Sequence, residues 1–278
     1  MNIGIIGQGF VGNAIYQKFK NYYSVFTYDL DESKSNSDIN EIISRCENIF
    51  VCLPTPMNID GSCNINIVEQ VLAEIDLITD NLETKRNIVI KSTIPPGTTK
   101  EWNHKFESLN ITFNPEFLTE ANAVQDFENQ TRIILGGPRK STTELKTIYS
   151  KVFPKASIIK TDSTYAEMVK YLTNTFLATK VSFANEMYSL CNQLNVDYDK
   201  VVEYATLDDR LGKSHWNVPG PDGDFGYGGH CFPKDLAAIL HLSEKLNTMN
   251  NVLCAVQETN NNVRKNRDWE QMKGRAVV

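Results

Sequence analysis

A chain of 278 residues with 41% hydrophobic content is long enough to build two domains around buried cores. Its 28 Lys and Arg against 34 Asp and Glu leave a net charge of −6 that no basic cluster offsets, which argues against nucleic acid as a partner. No run approaches the roughly 18 apolar residues of a membrane span, and the apolar start has no charged leader, so the expected location is the cytoplasm, with no membrane contact.

Asn2-Ile3-Gly4-Ile5-Ile6 reads as a short strand that runs into Gly7-Gln8-Gly9-Phe10-Val11-Gly12 and then into helical spacing through Phe19. In such a turn Gly7 would make the bend. Gly9 would let backbone N–H groups meet a pyrophosphate at the helix N-terminus, and Gly12 would let the helix pack on the strand. A second strand, Ser24–Tyr28, ends in Asp29, near the expected distance beyond the glycines. A carboxylate there accepts the ribose hydroxyls of NAD and repels the 2′-phosphate of NADP; with Asp31 and Glu32 following and no arginine nearby, NAD is the expected cofactor. A sheet-edge aspartate in a fold that has lost its cofactor is the plain alternative. Between Asp29 and Asn48 only a short link is expected.

Apolar bursts at Asn48–Leu53, Asn87–Lys91, Ile111–Phe113, Arg132–Gly136 and Ser157–Lys160 alternate with amphipathic stretches, which predicts α/β architecture with a doubly wound, mostly parallel sheet. Lys91-Ser92-Thr93-Ile94-Pro95-Pro96-Gly97-Thr98 leaves a strand at the edge where ligands bind in open α/β sheets; its hydroxyls either orient water or cap the next helix. Asn114-Pro115-Glu116-Phe117-Leu118-Thr119-Glu120 places two carboxylates four residues apart beside apolar neighbours, where a raised pKa would suit base work and surface solvation is the alternative.

After Asp162 the pattern becomes almost continuous helix: Ser163 to Leu194, then 197–206, 235–246 and 250–265. Lys170 and Asn174 share a face of the long helix and could aim an ammonium and an amide at one oxygen, although any solvated face offers such pairs. Residues 211–230 form one loop rich in glycine and proline. It delivers Cys231 to within a turn of a helix N-terminus, with Pro233 suited to the first turn. There the helix dipole favours thiolate; the plain alternative is a buried structural cysteine. The remaining cysteines, Cys46, Cys52, Cys63, Cys191 and Cys254, are scattered, with no CxxC pair and no histidine spaced to complete a metal site. His230 is a poor candidate base, because neighbouring side chains in an extended turn diverge.

Six segments in this order resemble the UDP-glucose/GDP-mannose dehydrogenase family: the Gly7–Gly12 turn, Cys52–Ser62, Lys91–Thr98, Phe113–Phe127, Lys170–Asn174 and Asn217–Asp235. The resemblance covers nearly the whole chain. It implies a Rossmann-like NAD-binding domain over 1–161, an all-helical central domain over 162–265 whose long helix pairs two subunits, and, over 266–278, the opening of a C-terminal UDP-binding domain that a separate chain would otherwise supply. It further implies oxidation of the C6 alcohol of a UDP-sugar, UDP-glucose by the nearest branch, in two NAD-dependent steps through a thioester on Cys231. By the same resemblance Lys170 and Asn174 steady alkoxide and oxyanion, Asp235 and Thr93 handle the first proton, Glu116 activates the hydrolytic water and Glu120 supports it. Gly7, Gly9, Phe10, Val11, Gly12, Asp29, Thr55, Thr93 and Glu120 would bind the cofactor. Glu116, Phe117, Leu118, Lys170, Asn174, Arg210, Tyr227, Gly228 and Cys231 would meet the substrate, under a loop running from Asn217 to Gly228. Two other readings stay open: a β-hydroxyacid-type dehydrogenase, which shares the NAD domain and the Lys-x-x-x-Asn helix, and a non-catalytic NAD-binding partner of a full-length enzyme.

Overall fold

The computed structural model describes residues 1–82 and 84–278, and the chain divides into two compact units. Met1–Thr55 with Ile65–Lys170 make the first; Pro56–Asn64 with Tyr171–Val278 make the second.

The first unit is built on strands β1 (Asn2–Ile6), β2 (Ser24–Tyr28), β3 (Asn48–Val51), β4 (Arg86–Ile90), β5 (Leu109–Phe113), β6 (Arg132–Gly136) and β7 (Ser157–Thr161). They lie in the order β2-β1-β3-β4-β5-β6-β7, parallel throughout except where β6 runs against β5. Successive side chains of a strand point to opposite faces, so a strand buried on both must be apolar without a break. Ile49 and Val51 accordingly pack in one core and Phe50 in the other, and Ile88 and Ile90 lie opposite Val89 in the same way. Helices α2 (Ile39–Arg45), α3 (Asn66–Thr79) and α4 (Thr98–Lys105) cover the first face with Ile42, Leu72, Ile75 and Trp102. Helices α1 (Phe10–Phe19), α5 (Ala123–Glu128) and α6 (Arg139–Val152) cover the second, where Phe19 meets Phe50 and Tyr149 edge to face. The link between Asp29 and Asn48 is more than the short connector expected: it holds a 3-10 turn, Glu32–Lys34, and α2, whose first turn is capped by Asp38 through the Glu41 N–H.

Helix α7 (Ser163–Gln193) begins at the expected place but belongs to both units. The first compact unit runs on through Lys170, past the expected boundary at 161/162, for two physical reasons. A Cβ on Gly136 would come within 2.5 Å of the Ala166 Cβ, so β6 and the first turns of α7 are in direct contact. Glu167, fully buried, accepts hydrogen bonds from the Gly97 and Thr99 amides and the Thr99 hydroxyl, satisfying donors at the start of α4 that no helix bond can reach. Burial raises the pKa of that carboxyl against the pull of these bonds.

The second unit contains the rest of α7, α8 (Tyr198–Ala205), α9 (Phe232–Lys245) and α10 (Asn251–Val263). Tyr227, Leu236, Leu240 and Val256 pack on Ala178 in one core, and Tyr198 and Val218 pack on Ala184 and Cys191 in another. Residues 56–64, which the sequence reading left in the sheet domain, belong here: Met57 bridges Cys63 and also Val277. Asp268–Gln271 is a 3-10 turn, and the following residues make only isolated bridges, with the Met57 amide donating to Ala276 and the Val278 amide to Met57.

Candidate active site

The glycine turn leaves β1 with Gly7 at φ +90°, a conformation side chains rarely adopt, and its amide donates to Tyr28 at the end of β2. A Cβ on Gly12 would lie 1.9 Å from the Gly7 carbonyl oxygen, so α1 is pressed against the turn itself rather than only against the strand. Gly9 differs: nothing lies within 4 Å of a Cβ placed there, so the start of α1 opens onto space that an anion can enter. The Asp29 carboxylate accepts the Gln8 amide at 2.6 Å through Oδ2 and the Asp31 amide at 2.9 Å through Oδ1. Each oxygen retains a second lone pair for a ribose hydroxyl. The turn therefore fits a dinucleotide: it offers open space at Gly9 and free acceptor capacity on Asp29. Thr55 donates to the Thr93 carbonyl at 2.8 Å, and the Ser92 hydroxyl exchanges bonds with both backbone groups of Leu53, which laces together the C-terminal ends of β3 and β4.

Beyond β5 lies a buried cluster of opposite charges. Lys170 Nζ donates to Glu116 Oε1 at 2.8 Å and to the Glu116 carbonyl at 2.7 Å, with both side chains almost wholly buried. Burial alone pulls the Glu116 carboxyl up, but the charge and hydrogen bond of Lys170, the Leu118 amide and Lys91 together outweigh it, and its pKa is lowered. This corrects the raised value expected from the apolar neighbours. Residues 114–119 carry no helix, so Glu120 does not share a face with Glu116 by periodicity; it is exposed. Phe117 lies under the Arg132 guanidinium, 4.2 Å from its ring centroid. The Asn114 Oδ1 accepts from Lys91 at 3.0 Å and from the Tyr149 hydroxyl, while its amide donates to Ile134. Lys91 is driven down to about 8, first by burial and then by Lys170, against the counter-pull of Cys52 and Glu116. A lysine ending an otherwise apolar strand is the one sequence signal for this group.

In the second unit Cys231 stands at the N-cap of α9, immediately before its first residue, with Pro233 in the first turn. The helix begins three residues earlier than its periodicity indicated, because Pro233 is tolerated where an N–H would have no partner. Asp235, 1% exposed, accepts from the Asn174 amide at 2.5 Å and from Lys234 at 2.5 Å. Burial lowers the Lys234 pKa, but Asp235 and the sulfurs of Cys63 and Cys231 overcome it, and the ammonium ends raised and firmly charged. Sequence reasoning assigned Lys234 no role, since adjacent residues of a helix do not ordinarily face each other. Its charge interacts with the sulfurs of both Cys63 and Cys231. Tyr227 is buried, whereas Arg210 lies exposed in the 3-10 turn Asp209–Leu211 and is clasped by Asp208 at 2.5 Å. Among the described residues no three His, Cys, Asp or Glu side chains are grouped to hold a metal ion, and no helix is long and apolar enough to cross a membrane.

A doubly wound sheet with this glycine turn and carboxylate defines a dinucleotide-binding unit of the dehydrogenase kind. Residues 31–153 match the UDP-glucose/GDP-mannose dehydrogenase family, NAD binding domain, and residues 164–262 match the central domain of the same family. A UDP-glucose 6-dehydrogenase of Campylobacter jejuni is 34% identical over 293 residues, spanning 94% of this chain and 72% of its own length. One from Rickettsia bellii is 35% identical over 231 residues, but the chain spans only 51% of it. The solved UDP-glucose dehydrogenase of Pyrobaculum islandicum superposes with a TM-score of 0.85 at 27% identity, covering 94% of this chain and 68% of that one. The chain belongs to the UDP-glucose/GDP-mannose dehydrogenase family, and its cofactor is NAD.

Proposed function

We propose that the protein oxidises the C6 alcohol of a UDP-sugar, UDP-glucose before others, to the carboxylate in two NAD-dependent steps. The observation that carries this reading is Cys231 at the N-cap of α9, where the charge of Lys234 also acts on it, since a single alcohol oxidation needs no thiolate. When bound, NAD supplies the hydride acceptor for both oxidations. Asp235, held by Asn174, takes the alcohol proton with Thr93 and an ordered water. The Cys231 sulfur then adds to the aldehyde carbon; loss of hydride from the thiohemiacetal leaves a thioester. Lys170 and Asn174, one turn apart on α7, steady the oxygen that carries negative charge at each stage. Glu116 is assigned the proton of the attacking water by its place beside Lys170: it is ionised at neutral pH, and its lowered pKa makes it a weaker base than a raised one would, so its part is to orient the water as much as to take the proton. Water attack breaks the C–S bond, releasing uronate and returning the thiol.

A homodimer fits the same reading. Tyr165, Met168, Leu172, Phe176, Phe183 and Leu190 are all exposed at intervals of three, four or seven residues along α7, an apolar stripe suited to a second copy of the helix. The test is NADH formation with UDP-glucose, counted to completion for wild type and Cys231→Ser. About two NADH per sugar, lost or halved in the variant, supports the thioester route. One NADH per sugar, unaffected by Cys231→Ser, refutes it. No turnover despite NAD binding points to a partner chain.

A further inference from the structure

We propose that Arg264 and Asp268 are positioning residues that hold Cys231 at the helix N-terminus by gripping the glycine one residue before His230. The inference rests on the thiolate reading given above. Residues 226–229 lie outside regular secondary structure, so their amides need side-chain partners, and three of the four are taken that way. The Gly226 amide donates to Asn185 at 3.1 Å. Tyr227 and the Asn260 side chain exchange two bonds, at 2.7 and 3.0 Å, as a strand neighbour would. The Gly229 amide donates to both Asp268 oxygens, at 3.0 and 3.2 Å.

Behind this row stands Arg264, with its side chain 1% exposed. Its guanidinium donates to Asp222 at 2.7 Å, to Asp268 at 3.1 Å and to the Asn266 carbonyl at 2.7 Å, and lies 3.7 Å from Asp224. A Cβ on Gly228 would fall 2.2 Å from Arg264 Nη2 and 2.4 Å from Asp268 Oδ1, so the loop backbone lies flat against the ion pair. Gly229 sits at φ +70° with nothing within 4 Å of a Cβ: it is glycine for conformation, not for space. It is thus a pivot, gripped from one side and followed two residues later by the nucleophile. A buried guanidinium surrounded by carboxylates is weak evidence for stability, because desolvation offsets the attraction. Its clear effect is to define one backbone path into the N-cap. Losing that path would let the thiol leave the helix dipole and Lys234, and both its ionisation and its aim would suffer.

The experiment is iodoacetamide alkylation of Cys231 against pH, followed by peptide mass spectrometry in the intact chain with no sugar nucleotide present, for wild type, Asp268→Asn, Arg264→Lys and Gly229→Ala. Kinetics with NAD and UDP-glucose and melting curves accompany it. Asp268→Asn and Gly229→Ala should move the pH midpoint of alkylation up by about a unit. They should lower kcat by roughly 10- to 100-fold with the KM for NAD unchanged. Arg264→Lys should fall between these and wild type. A purely structural role would lower the melting temperature and leave the midpoint of the folded molecules in place; that result, or a wild-type Cys231 no more reactive than the exposed Cys254, overturns the proposal. Because alkylation needs no substrate, a shifted midpoint in a chain that never oxidises UDP-glucose would sink the functional reading and leave the clamp standing. Gly229→Ala removes none of the clamp's side chains and acts only through the strained φ of the pivot, so the proposal stays testable if Asp268→Asn fails to fold.

Discussion

Lys170→Met is the substitution whose effect is most fully determined by the geometry. It removes the ammonium that bonds Glu116 twice and leaves a buried carboxylate facing an apolar chain. Breaking one side of a buried pair costs about 3–5 kcal/mol, far more than an exposed pair is worth. The cost must depend on pH with a definite sign. In the wild type the Glu116 pKa is lowered below 4.5, so its contribution is present above that value and lost as pH falls through the folded pKa. Without Lys170 the first-ranked influence, burial, prevails and the pKa rises above 4.5; the folded carboxyl then resists ionisation, and stability falls as pH climbs from 4.5 toward the new value. The gap between variant and wild type should therefore be smallest below the wild-type folded pKa, larger at pH 4.5 and full by pH 8, where ~2–4 °C per kcal/mol gives a loss of roughly 6–20 °C in melting temperature. Adding Glu116→Gln should recover part of it at pH 8 and little at pH 4.5. A gap of equal size at both pH values, or one that Glu116→Gln leaves untouched, would refute the reasoning.

Lys91→Met should raise the melting temperature at neutral pH. The folded lysine releases its proton near 8 and the unfolded one near 10.5, so burial imposes a penalty of about 3 kcal/mol that is complete below pH 8 and relieved as pH rises toward 10.5; melting curves at pH 7 and pH 10.5 should show the variant's advantage disappear. Gly12→Ala, forced 1.9 Å from a carbonyl oxygen, should destabilise the first unit by ~1–3 kcal/mol, measured by urea unfolding. Gly9→Ala, with open space around it, should leave the melting temperature within a degree or two of wild type yet weaken NAD binding about tenfold or more in titration calorimetry. Asp29→Asn should weaken NAD about tenfold and narrow the preference over NADP, a result that equal affinities before and after substitution would contradict.

Local pattern carried much of this molecule. Unbroken apolar strands such as Ile88-Val89-Ile90 are legible because burial on both faces demands them, and the tight turn at Gly7 and the place of Cys231 within a turn of a helix start follow from turn and helix-start chemistry that operates within a few residues. Tertiary structure alone decided the rest. The Glu167 cap on α4 joins positions 68 apart and moves the unit boundary into α7. The bond from Lys170 reverses the sign of the Glu116 shift across 54 residues, and residues 56–64 join the helical unit by pairing with Val277. The physical reason is common to these cases: a buried carboxylate, amide or ammonium takes its energy from whichever partner replaces water. Nothing in the periodicity of a segment says which distant side chain that partner is.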